Sequence, residues 1–210
     1  MKTTVQILLI IAILFVGFLV YESIQRPVRF DREQTIRKNK VIERLKEIRS
    51  AQVAFKAVNG RYTADFDSLS SFVANDSLPM VRMEGSLSDS MLMAGMTELK
   101  ALELGIIKRD TTRISVMDSL FPTKPWMADS LRYVPLTDGA VFEMGVAVLP
   151  TASGVNVEVF EARVHNDVYM NGMERQEIIN QNDVANKLGR YPGLKVGSLT
   201  EANNNAGNWE

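Results

Sequence analysis

His165 is the single histidine in a chain of 210 residues that contains no cysteine. One imidazole cannot build a histidine-rich metal site and gives a serine nucleophile only one possible base. Without thiols there is no cysteine nucleophile, thiolate metal site or disulfide framework. His165 closes an alternating apolar run and precedes Asn166-Asp167, so it is read as a turn residue. Glu158 with Glu161 and Asp65 with Asp67 are the kind of carboxylate neighbours from which acid–base pairs are made. In a segment this acidic such neighbours follow from composition, and no catalytic, cofactor-binding or metal-ligating residue is assigned. Gly189-Arg190-Tyr191-Pro192-Gly193-Leu194-Lys195 has the glycines and lysine of a phosphate loop without its spacing or its following hydroxyl. The most repeated chemistry-bearing unit is a tripeptide: Asp67-Ser68-Leu69, Asp76-Ser77-Leu78, Asp89-Ser90-Met91, Asp118-Ser119-Leu120 and Asp129-Ser130-Leu131, with Asp110-Thr111-Thr112 as a looser copy. Asp and Ser side chains accept unpaired backbone N–H groups where helices and turns begin, which accounts for each copy singly.

The elements that must carry these residues begin with a membrane-length segment. Residues 5–20, VQILLIIAILFVGFLV, hold no charge and one strongly polar side chain, Gln6. A helix here is apolar all round, and from Thr3 to Tyr21 it measures about 28 Å, close to the hydrocarbon thickness of a bilayer. The apolar run exceeds the core of a signal peptide and no A-x-A-like site follows it, so residues 1–24 are expected to be an uncleaved anchor. Residues 26–56 then hold ten Lys/Arg against four Asp/Glu, and residues 57–210 thirteen against twenty. A basic stalk thus precedes an acidic body, and an acidic body does not suit nucleic acid, which selects cationic surfaces.

From Gln34 to Val58 there is neither glycine nor proline. Val41, Leu45, Ile48, Gln52 and Phe55 recur at spacings of four and three, which predicts one continuous helix with a single apolar face, leaving Arg44, Lys46, Glu47 and Arg49 off it. That face can pack on the chain's own domain or form a short seam with another chain. Asn59-Gly60 is a helix stop. This succession resembles type IV pilins and the pseudopilins of type II secretion: an apolar N-terminal helix, Pro27, an amphipathic continuation ending in Ala51-Gln52-Val53-Ala54-Phe55, then Asn59-Gly60-Arg61-Tyr62 and Leu69. It covers roughly the first seventy residues. The prepilin-peptidase signal is absent from Met1-Lys2-Thr3-Thr4-Val5-Gln6, and Gln6 is neutral where a processed pilin carries a carboxylate. The resemblance implies an α+β fold in which the transmembrane helix continues into a long amphipathic helix packed on an antiparallel sheet.

The body, residues 61–188, changes period. Asp138-Gly139 between apolar runs is a hairpin signal. Phe142, Met144, Val146 and Val148 alternate along one strand and Val155, Val157 and Val159 along the next, with Ala152-Ser153-Gly154 as the turn. A three-stranded meander is expected, covered by the striped helix of the stalk, residues 25–60. Thr97–Leu104 reads as a short helix closed by Gly105, and residues 113–121 as a further strand or extended segment. The Gly/Asn-rich tail, 189–210, is expected to be irregular. Tyr191, Leu194 and Trp209 would anchor it to the sheet, with partner binding as the alternative.

Taken together, these features predict a non-enzymatic, single-pass inner-membrane protein with its N-terminus cytoplasmic and its body periplasmic, a structural or assembly component of a secretion or surface apparatus. Its partners would be the membrane and other envelope proteins, including copies of itself, with no cofactor. Alternatives are a tethered scaffold for one envelope partner and an anchored carboxylate hydrolase. The charge count flanking the span favours a cytoplasmic body, but long domains translocate largely regardless of that count. The tripeptides also resemble the Asp-Ser/Thr-apolar acceptor of a bacterial general O-glycosylation system, which implies export and offers Ser68, Ser77, Ser90, Ser119 and Ser130 as sites.

Overall fold

Between Lys2 and Asn59 the helix-disfavouring residues are confined to Gly17 and Pro27, with a direct structural consequence. In a computed structural model, which describes residues 2–150 and 154–210, these 58 residues form one helix, α1 (Lys2–Asn59). At 1.5 Å per residue it is about 87 Å long. Pro27 removes one N–H from the helical ladder without ending it. Gly60, at φ +74°, ends it, and the Gly60 N–H still reaches the Lys56 carbonyl at 2.8 Å. The most apolar window of α1 has a mean hydropathy of 2.6 and none of it is buried. By length and composition this segment can cross a membrane.

The fold is α+β, and the C-terminal half of α1 is packed into it. Val41, Leu45, Ile48, Ala51 and Gln52 have no exposed surface, whereas Phe55 is half-buried. Two layers cover this stripe. One is the antiparallel sheet of β3 (Glu143–Pro150), β4 (Asn156–His165) and β5 (Gly193–Gly197), in the order β3-β4-β5. The other consists of short helices, chiefly α2 (Phe66–Asn75), α5 (Val116–Leu120) and α6 (Met127–Ser130). Phe160, Ala162 and Val164 from β4, Leu194 and Val196 from β5, and Leu69, Phe72, Val73, Val116 and Leu131 from the helices complete one core. This arrangement is consistent with the helix-on-sheet build of pilins.

A second sheet pairs β1 (Ser77–Glu84) with β2 (Lys108–Ser115) as an antiparallel arm carrying α3 (Asp89–Met93) and α4 (Glu98–Glu103) at its far end. As the sequence predicts, a short helix stands here and Gly105 follows it at φ +70°; Thr97 serves as its N-cap. Past β4, α7 (Asn166–Tyr169) and α8 (Arg175–Lys187) run back along α1.

Four expectations are revised. The sheet's third strand is not residues 132–137. Pro135 has no N–H to donate and Leu136 sits at φ 61°, so only the Tyr133–Val141 bridge forms around Asp138-Gly139, and β5 from the tail pairs with β4 instead. The tail is therefore partly regular. In β4 the core-facing residues are Phe160, Ala162 and Val164, one register step from the expected Val155, Val157 and Val159 series; Val159 is buried on the other face. The segment 113–121 is strand only to Ser115; Val116, Met117 and Leu120 then turn one helical face toward the core. Of the expected turn, Gly154 has φ +79°, and Ala152 and Ser153 lie outside the described residues.

Candidate functional site

The candidate functional surface is α1 itself, together with the groups that fix it to the body. Its inner stripe reaches further upstream than the sequence reading placed it. Stepping back from Val41 by four, three and four gives Arg37, Gln34 and Phe30, and each is engaged. Phe30 is buried against the body. Gln34 and Gln181 exchange amide hydrogen bonds of 2.5 and 3.1 Å. Arg37 donates to the Asn171 and Tyr169 carbonyls at 2.7 and 3.3 Å. The signal was present in the spacing, but polar residues at two of the three positions concealed it.

Buried within the stripe, Gln52 donates to the Thr63 carbonyl at 2.6 Å and accepts from the Thr63 N–H at 3.2 Å. It thereby satisfies both backbone groups of one residue just beyond the helix stop. The polar flank of α1 is also engaged. Lys124 bridges Glu43 and Glu47 at 2.6 Å each, and Arg44 pairs with Glu47 at 3.0 Å and donates to the Ser130 carbonyl. The Lys124 hydrogen bond and charge hold the Glu43 carboxyl below its usual range, and Glu43 with Glu47 raise the Lys124 ammonium.

The tail closes over the same helix. Arg49 pairs with Glu210 at 2.7 Å, and Asn205 donates to the Tyr62 hydroxyl at 3.0 Å. Leu194 is buried, Trp209 packs partly against the core, and Tyr191 lies over the Arg163 guanidinium, 5.4 Å from ring centre to carbon. Opposite α1, Glu161 is flanked across the ladder by Gly145 and Gly197 and held by Lys195 at 3.0 Å and Arg163 at 3.4 Å. A β-carbon on Gly145 would stand 3.2 Å from Leu199, so the glycine admits the tail residue that covers this face.

The other sequence-singled residues are dispersed. Glu158 accepts from the Tyr62 N–H at 2.7 Å, on the opposite face of β4 from Glu161. Asp65 caps α2, while Asp67 pairs with Arg132 at 3.0 Å. Each carboxylate thus has a partner of its own. His165 Nδ1 accepts from the Asp167 N–H at 3.2 Å and caps α7. Among the described residues no group of three or more His, Asp or Glu could hold a metal ion.

The tripeptides do not themselves supply the N-caps that the capping explanation assigned to them. Asp65, Ser88 and Ser115 occupy the N-cap positions of α2, α3 and α5, each upstream of the tripeptide that follows. In four of the five the third residue faces inward instead: Leu69 and Leu131 are fully buried, and Leu78 and Leu120 pack partly on the core, whereas Met91 lies outside it. Ser68, Ser90 and Ser119 are exposed, whereas Ser77 and Ser130 are half-buried and the Ser130 hydroxyl donates to the Trp126 carbonyl at 2.9 Å.

No protein-family model matches the chain, and no curated protein or solved structure is significantly similar to it.

Proposed function

We propose that this protein is a membrane-anchored, pilin-like structural or assembly component of a bacterial envelope apparatus, with its body on the periplasmic side of the inner membrane. One observation carries the reading: a single uninterrupted helix is exposed and apolar along its first part and forms the central core element of the body along its last. Such a helix transmits position and load from the bilayer to the body without a hinge. A tethered enzyme or receptor on a flexible linker does not need that rigidity. The prominent arm favours the scaffold alternative as a second reading, because Met93, Leu99 and Leu104 at its far end are 92%, 75% and 60% exposed.

The absence of cysteine makes the test clean. A single thiol introduced as Ile36→Cys, on the outward face of α1, should give a ladder of self-adducts on cross-linking in membranes. One hetero-adduct and no ladder would favour the scaffold, and a body resistant to protease in spheroplasts would end the periplasmic reading. If the tripeptides are acceptors, mass spectrometry should find sugar first on the exposed Ser68, Ser90 and Ser119.

A further inference from the structure

We propose that the cleft between the membrane-proximal part of α1 and the α7–α8 connection binds the headgroup of a zwitterionic phospholipid, a phosphate esterified to the hydroxyl of an amino alcohol whose primary amine is protonated; the proposal rests on the membrane-anchored reading above. The cleft has a volume of about 690 Å³ and is lined from Leu19, within the apolar run, to Glu177 in the first turn of α8. A span from Thr3 to Tyr21 of about 28 Å places Leu19 and Glu22 at one boundary of the bilayer. A headgroup seated beside Glu22 would leave its acyl chains alongside Leu19. At the other end Phe30 is buried and Met173 packs against the core, so the floor is preformed and apolar.

Charge selects the ligand class. Glu22 pairs with Arg26 at 3.3 Å, and Glu33 with Arg37 at 2.6 Å. That leaves Arg29, Glu174 and Glu177 lining the cleft, none with an ion-pair partner within 4 Å among the described residues. A headgroup carrying only negative charge would meet Arg29 but also two uncompensated carboxylates. A phosphate joined to an ammonium brings one charge of each sign: the phosphate takes the guanidinium in a charge-assisted bond, and the three ammonium donors take the carboxylates. Screening is weaker beside the hydrocarbon than in open solvent, so this sign pattern discriminates more strongly there.

The test uses the full chain in nanodiscs containing equal phosphatidylethanolamine and phosphatidylglycerol with identical acyl chains, followed by native mass spectrometry of the released protein. The wild type should retain phosphatidylethanolamine over phosphatidylglycerol by at least tenfold. Arg29→Glu and the double variant Glu174→Lys/Glu177→Lys should each abolish that preference, with the gentler pair Glu174→Gln/Glu177→Gln covering any failure of the lysine variant to fold. Preferential retention of phosphatidylglycerol, no preference, or a preference unchanged in the variants overturns the proposal. Soluble glycerophosphoethanolamine should not compete; displacement at equal concentration would mean a soluble ligand and would also overturn it. Flotation with liposomes separates the two readings: a chain that fails to float defeats the anchor itself, whereas one that floats without lipid preference defeats only this site.

Discussion

Leu14 and Leu45 are the same residue on the same helix, and they have opposite surroundings: Leu14 is 68% exposed and Leu45 not at all. Around Leu14 every position is apolar, so no rotation of the helix can present a polar face, and a bilayer satisfies it best. Around Leu45 the apolar positions recur at four and three while charges fill the rest, so one side must face a core and the other water. Apolar content alone does not separate these environments. Periodicity does, and the change from one pattern to the other falls at the basic residues that follow Pro27.

The largest expected effect strikes the body half. Leu45→Asp buries a carboxylate with no partner in a site of zero exposure and should cost more than about 4 kcal/mol, enough to abolish cooperative unfolding by circular dichroism. A variant that still melts cooperatively would mean that the stripe is not a core at all. The matching change in the other half, Leu14→Arg, should leave the melting of the body unchanged and instead weaken membrane insertion by about 3 kcal/mol, read as loss of carbonate-resistant protein. If Leu14→Arg unfolds the body, the two halves are coupled and the comparison fails.

The sequence made the two halves of α1 legible because each carries a repeated pattern over many residues. It also located the α4 stop at Gly105, where one positive φ has few alternatives. It misplaced elements decided by single residues or by distant ones. Pro135 and Leu136 block a strand that the alternation around them supports. The β5 strand is unreadable locally because Gly193-Leu194-Lys195-Val196-Gly197 becomes a strand only when β4 offers its edge. The cleft beside Arg29 depends on Gly172–Glu177 returning to α1 from far along the chain, and no local spacing announces that return.

Gln52 tests the seam between the regular helix and the turn that follows. Gln52→Leu keeps the side chain's bulk and adds apolar surface, yet it strips both hydrogen bonds from Thr63. The expected result is a loss of about 2 kcal/mol in urea unfolding, because an unpaired backbone group outweighs the gain in apolar contact. A neutral or stabilising outcome would show that water replaces the glutamine at Thr63.

The smallest effect belongs to the polar flank. Lys124→Met removes the bridge to Glu43 and Glu47, both on α1. Partly exposed pairs of this kind contribute about 0.5–1 kcal/mol and are screened by salt. Glu43 has its pKa lowered by Lys124, so its contribution is present above the ordinary carboxylate value and is lost as pH falls through the lower folded value. Lys124 has its pKa raised, first by the hydrogen bond to Glu43, so its contribution is present below the ordinary lysine value and is lost as pH rises through the higher folded one. Wild type and Lys124→Met should therefore differ most at neutral pH in low salt and converge in 1 M salt or as Glu43 protonates. A difference that survives both conditions would show that the lysine stem, packed along α1, matters more than its charge, and would align the polar flank with the apolar stripe beside it.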